Sequence, residues 1–122
     1  MLALVLVAND DTPTRELAVA ALNAAGIMAV GFRDPMAALD AIEAAPQIRV
    51  LVTRVDFGVG KLNGVALMRM VKVKRPRIQV LFLALPENRE HTEGVGEFLP
   101  MPIDPRLLVD AIGRLSTRSA AC

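Results

Sequence analysis

Arg49-Val50-Leu51-Val52-Thr53 is a β-branched, apolar run with no polar residue between Val50 and Val52, and it is closed by the charge of Arg54. A strand with one wet face alternates apolar and polar residues, whereas a strand covered on both faces does not, so this run reads as a central strand of a parallel sheet. Residues 2–8 and 80–85 have the same character, and residues 27–32 and 97–99 supply two further, shorter strands.

Helical spacing fills the intervals. Thr12 and Thr14 offer caps for a first helix in which Leu17, Ala18, Ala21, Leu22 and Ala25 recur until Gly26 ends it. Asp34 followed by Pro35 opens a second helix, with Leu39 and Ile42 inward, that stops before Pro46. The Gly-rich stretch 58–64 leads to a third helix over 65–74, ended by Pro76. Residues 86–96 leave room only for a short fourth helix. Asp104 and Pro105 open the last, running through Arg114 with Leu107, Leu108, Ala111, Ile112 and Leu115 facing in, and residues 116–122 read as a frayed tail. Strict βα alternation over residues 1–122 implies one α/β domain, a doubly wound parallel sheet with right-handed crossovers. In such folds ligands sit beyond the carboxyl ends of the strands, so the residues that close each strand are where chemistry is sought.

Composition narrows the function classes. Hydrophobic residues make up 53% and aromatic ones 3% of the 122, the balance of helices packed on a buried sheet. The formal charge of +1 argues against direct nucleic-acid binding. Cys122 is the only cysteine, which excludes an internal disulfide and a thiolate metal cluster. The apolar run 1–8 is far below the roughly 18 residues that span a bilayer and lacks the features of a signal peptide, so no membrane contact and a cytoplasmic location are expected. A positive mean hydropathy fits an apolar patch shared with a partner.

Three landmarks carry a family resemblance: residues 5–11 with Arg15, the pair Asn63 and Gly64, and the string Phe98-Leu99-Pro100-Met101-Pro102. Together with the alternation they resemble the receiver domain of two-component response regulators along nearly the whole chain. The last string is similar to a motif with lysine at the position of Met101 and, commonly, a cis proline after it. The resemblance implies a flavodoxin-like (βα)5 domain with a five-stranded parallel sheet of order 2-1-3-4-5. It also implies a phosphorylation site: an aspartate ending the third strand, Mg²⁺ held by acids after the first, a Ser or Thr ending the fourth, and a lysine after the fifth. A carboxylate nucleophile, a hard cation, a hydroxyl and an ammonium are the groups that gathering a phosphoryl group requires.

The chain departs from that set at most positions. The acidic pair reads Asn9 and Asp10, with Asp11 following; the hydroxyl position is Ala84 and the lysine position Met101. Two alignments compete for the acceptor. Counting back from Gly64 gives Asp56, whereas matching the apolar strand gives Arg54 and a loop two residues longer. The second is preferred, because the first would bury an unpaired Arg54 inside a central strand at a cost of several kcal/mol. At the rim, Arg54 would meet Asp10 or Asp11 and act as an internal cation. A dication about 4 Å away would be repelled by roughly 8 kcal/mol at an effective dielectric of about 20.

The resemblance thus implies an atypical receiver domain in signal transduction, a pseudo-receiver acting through phosphorylation-independent protein–protein interaction and not as an enzyme, with no cofactor or metal. The expected partner is a protein, a sensor kinase or regulator, met through the face of the fourth helix, fifth strand and fifth helix, and the shortened 84–101 connection favours a homodimer. The alternative is a conventional phosphorylated switch with Asp56 as acceptor and Mg²⁺ as cofactor; a third reading, of a different class, is a sensor whose neutralised pocket takes a small metabolite that nothing in the residues names.

Weaker signals take bland readings. Gly60 and Lys61 imitate a phosphate-binding loop, but Val55 and Leu62 stand where its glycine and hydroxyl residue belong. Asp56-Phe57-Gly58 spells a kinase tripeptide in a chain too short for a kinase. Arg69, Lys72, Lys74, Arg75 and Arg77 suit a helix C-terminus, His91 reads as a surface residue, and Met28, Met36, Met68, Met70 and Met101 as core filler.

Overall fold

A computed structural model describes residues 4–121, with side chains through 117. The chain runs β1 (Leu4–Ala8), α1 (Thr12–Ala24), β2 (Ala29–Phe32), α2 (Pro35–Ala44), β3 (Ile48–Thr53), α3 (Gly64–Lys74), β4 (Gln79–Ala84), a 3₁₀ helix (Pro86–Thr92), β5 (Glu97–Pro100) and α4 (Pro105–Ala121). All strands are parallel and lie in the order β2-β1-β3-β4-β5, the expected flavodoxin-like topology. Leu2 and Ala3 of the expected first strand, and Cys122, lie outside the described residues.

The uninterrupted apolar strands are explained by two cores, one on each face of the sheet. Leu6, Leu51, Val80 and Phe82 point to one face, under Leu39 and Ile42 of α2 and Leu67 and Val71 of α3. Their neighbours Val5, Val7, Val50, Val52, Leu81 and Leu83 point to the other, under Leu22 of α1 and Leu108, Ile112 and Leu115 of α4. Each fully buried aliphatic side chain contributes roughly 1.5–3 kcal/mol, so this two-sided burial fixes the strand register. The helix starts are held by side-chain caps: Asp34 accepts from the amides of Met36 and Ala37, and Asn63 from that of Ala66.

Several expectations need correcting. Asp11, not Thr12 or Thr14, caps α1, because it is the residue in extended conformation whose carboxylate reaches the Thr14 amide. Ile27 stays in the turn, its amide held by the Leu22 carbonyl, so β2 starts at Ala29. β4 ends at Ala84, and Leu85 leads into the 3₁₀ helix that fills the short connection. The last helix continues past Arg114 to Ala121, since nothing from Leu115 onward breaks it and Thr117 bonds back to the Gly113 carbonyl. Leu17 and Leu107 are exposed: each lies at helical spacing but on the margin of the apolar stripe. Met28, Met36 and Met70 are also exposed, and Met68 is the methionine that fills the core. Among the described residues, no helix is long and apolar enough to cross a membrane.

Candidate functional site

The carboxyl ends of β1, β3 and β4 converge because the strands are in register there: Ala8 lies opposite Thr53, and Thr53 opposite Phe82. The chain leaves β1 at Asn9, which is buried; its amide bonds Phe32 and its side-chain oxygen accepts from the Asp11 amide. Arg15 donates from α1 to the Asn9 carbonyl, which ties this corner to the helix. The acids that follow take different tasks. Asp11 accepts from both the hydroxyl and the amide of Thr14, at 2.5 and 3.2 Å. Those bonds, the hydroxyl's above all, hold its pKa below the ordinary 3.8, with smaller help from the Arg54 and Arg15 charges against a small opposing effect of burial.

Asp10 turns to Arg54. The Arg54 Nη1 lies 2.6 Å from the Asp10 Oδ1, and both side chains are partly exposed, at 28% and 39%. Arg54 is the first residue past β3, fixed there by its amide on the Ala8 carbonyl. Gly64 closes tightly on the same spot: its amide donates to the Val55 carbonyl at 2.7 Å, and a Cβ there would overlap the Arg54 carbonyl oxygen. A glycine is required by this close approach and not by its backbone angles.

Asp56 lies two residues into the loop, exposed, with one carboxylate oxygen accepting from the Gly58 amide at 2.8 Å. Gly58 and Gly60 both have positive φ, which lets the extra loop residues double back. Lys61 beyond them reaches the Asp34 carboxylate at 3.4 Å, and with the Ala37 amide as the larger cause it holds the Asp34 pKa low. From the other side, buried Ala84 ends β4 and its carbonyl accepts from the amide of half-buried Met101, whose bond to Pro102 is cis.

A cavity of about 120 Å³ lies between these ends, and its walls include Asn9, Asp11, Arg54, Asp56, Ala84 and Met101. Asp10 meets Arg54 without lining it. The residues singled out in the sequence therefore come together, both acceptor candidates included. Two further polar wall residues were missed, Thr14 and Asn88, beside the apolar Val55, Leu83 and Leu85. The i, i+3 spacing of Asp11 and Thr14 carries a signal for the first; Asn88 sits in the 3₁₀ helix, which has no periodicity to read. Among the described residues no three His, Cys, Asp or Glu side chains form a group suited to a metal ion.

Of the basic cluster, Arg75 is structural: its guanidinium donates to the carbonyls of Ile42, Ala45, Pro46 and Ile48, joining the end of α2 to β3. Lys72 likewise bonds the Ile78 carbonyl.

No protein-family model matches the chain, and no curated protein does. Solved structures do. A response regulator receiver domain protein from Clostridium thermocellum superposes with a TM-score of 0.88 over 98% of each chain, at 22% identity. The receiver domain of NtrX from Brucella abortus gives 0.83 over 93% of this chain and 98% of that one, at 23% identity. The chemotaxis protein CheY4 of Vibrio cholerae gives 0.82 over 94% and 99%, at 22% identity. At such identities the fold is what is shared, and the chain has the receiver fold.

Proposed function

We propose that the chain is an atypical receiver module of signal transduction that works through phosphorylation-independent protein–protein contact. The observation that carries this reading is the Arg54–Asp10 ion pair at the strand ends. A receiver-type transfer needs a carboxylate, a divalent cation, a hydroxyl and an ammonium around one phosphoryl group. Here Arg54, the first residue past the third strand, brings its own positive charge, Asp10 is engaged by it, Asp11 is engaged by Thr14, and Ala84 and Met101 offer neither hydroxyl nor ammonium. These residues do not fit Mg²⁺: a dication entering the cavity would face the Arg54 guanidinium and would have to break two existing carboxylate contacts.

Partner binding is then constitutive, and a sensor kinase or regulator protein is the partner class that the receiver fold suggests. The short 3₁₀ connection supports self-association through the adjoining face. Light scattering should give a dimer mass at high protein concentration; a monomer throughout would remove that part of the reading.

A second reading, a conventional phosphorylated switch, is favoured by one observation: Asp56 is exposed and lines the same cavity as Arg54. Incubation with acetyl phosphate and Mg²⁺ followed by intact-mass measurement separates the two. The module reading expects no phosphoryl adduct, and an adduct abolished by Asp56→Asn would replace it with the switch.

A further inference from the structure

A second and larger cleft, about 470 Å³, opens between α3 and the 3₁₀ helix, and shares only Val55, Asp56 and Asn88 with the strand-end cavity. Its charged walls do not satisfy one another. Arg69 projects from α3 with no ion pair or hydrogen bond to any described side chain, and Asp56 on the opposite lip uses one oxygen on the Gly58 amide and has no cation partner. Asn88 and His91 add polar groups without side-chain partners among the described residues, and Val65 and Ala66 supply an apolar wall. A positive and a negative group thus face one space without reaching each other.

We propose that this cleft binds a small zwitterion of the α-amino-acid class, with its ammonium toward the Asp56 carboxylate, its carboxylate toward the Arg69 guanidinium, and its side chain against Val65 and Ala66. A simple anion would gain Arg69 but meet the repulsion of Asp56, and a simple cation the reverse; a ligand that carries both charges satisfies both walls. Arg69 is the better anchor, because its planar donors match a carboxylate in two-point geometry. The cleft is large enough to admit a molecule of that size.

The test is a titration of the full chain with L-valine, followed by amide chemical shifts, with acetate and methylammonium as single-charge probes. Saturable shifts at Val65, Ala66, Arg69 and His91 are expected with L-valine at tens of millimolar, with much weaker responses to either single-charge probe. Arg69→Ala and Asp56→Asn should each weaken binding by about tenfold, the effect of one charge-assisted contact, while Arg69→Lys retains part of it. Both residues are exposed, and unchanged amide spectra of the unliganded variants establish that they fold. Acetate binding as well as L-valine, with Asp56→Asn without effect, would overturn the assignment in favour of a plain anion site, and absence of saturable shifts would overturn it altogether. Neither result bears on phosphorylation, which is read by mass in the absence of any amino acid.

Discussion

The Arg54 guanidinium meets the Asp10 carboxylate at 2.6 Å, joining residues 44 apart in sequence across the carboxyl ends of β3 and β1. A partly exposed pair of this kind is worth only about 0–1 kcal/mol of stability. Its consequence is electrostatic: a guanidinium stands at the end of β3 and engages Asp10, where receiver-type chemistry needs unpaired carboxylates.

Replacing that cation with a carboxylate should reverse the balance. Arg54→Asp frees Asp10 and places a third acid beside Asp10 and Asp11, a set of hard oxygen donors. The variant should acquire saturable millimolar Mg²⁺ binding, read by calorimetry. A variant as indifferent to Mg²⁺ as the parent would show that the charge of Arg54 is not what excludes the ion.

Gly64→Ala should be severely destabilising, because its Cβ would overlap the Arg54 carbonyl and approach the Thr53 hydroxyl. Backbone must shift to admit it, at a cost of about 3 kcal/mol, and the Gly64 amide bond to Val55 is strained or lost. The urea midpoint checks this; a shift no larger than that of an ordinary surface substitution would contradict the close approach.

Arg75→Ala should cost about 2–3 kcal/mol, since it removes a charged donor from four carbonyls at the junction of α2 and β3. Arg75→Lys should recover only part of that, because a point-charge ammonium cannot span the same acceptors. Full recovery by lysine in urea unfolding would reduce the role of Arg75 to its charge.

Acid sensitivity follows from the two cap aspartates. Asp11 is held below 3.8 chiefly by the Thr14 hydroxyl, and Asp34 chiefly by the Ala37 amide. A carboxyl with a lower pKa folded than unfolded binds fewer protons in the native state, so its contribution is complete above about pH 5 and is lost as pH falls through the lowered value. Thermal unfolding should therefore be flat from neutral pH to about pH 5 and drop below about pH 4. Asp34→Asn keeps a capping oxygen without a titrating group and should make that drop shallower; an unchanged acid slope would contradict the assignment.

The architecture was legible because burial on both faces writes itself into β1, β3 and β4 as unbroken apolar runs, and because Gly26, Pro46 and Pro76 punctuate the helices. The sheet order came from the family resemblance, not from periodicity. What could not be read depends on contacts distant in sequence. Arg75 looks like any basic residue after a helix until the end of α2 is placed beside it. Asp10, Asp11, Thr12 and Thr14 are all capping types, and only backbone conformation decides that Asp11 caps while Asp10 is left to pair with Arg54. Leu17 and Leu107 show the limit of helical spacing, which gives a stripe but not its width. The role of Gly64 is likewise visible only once the loop from Arg54 folds back onto it.

The most direct test of the central claim is titration of the unmodified chain with Mg²⁺ and beryllofluoride, followed through the amide shifts of Asp10, Arg54 and Asp56. A cation fixed at the strand ends by its pairing with Asp10 predicts small, non-saturating changes. Saturable millimolar binding centred on those three amides would contradict it.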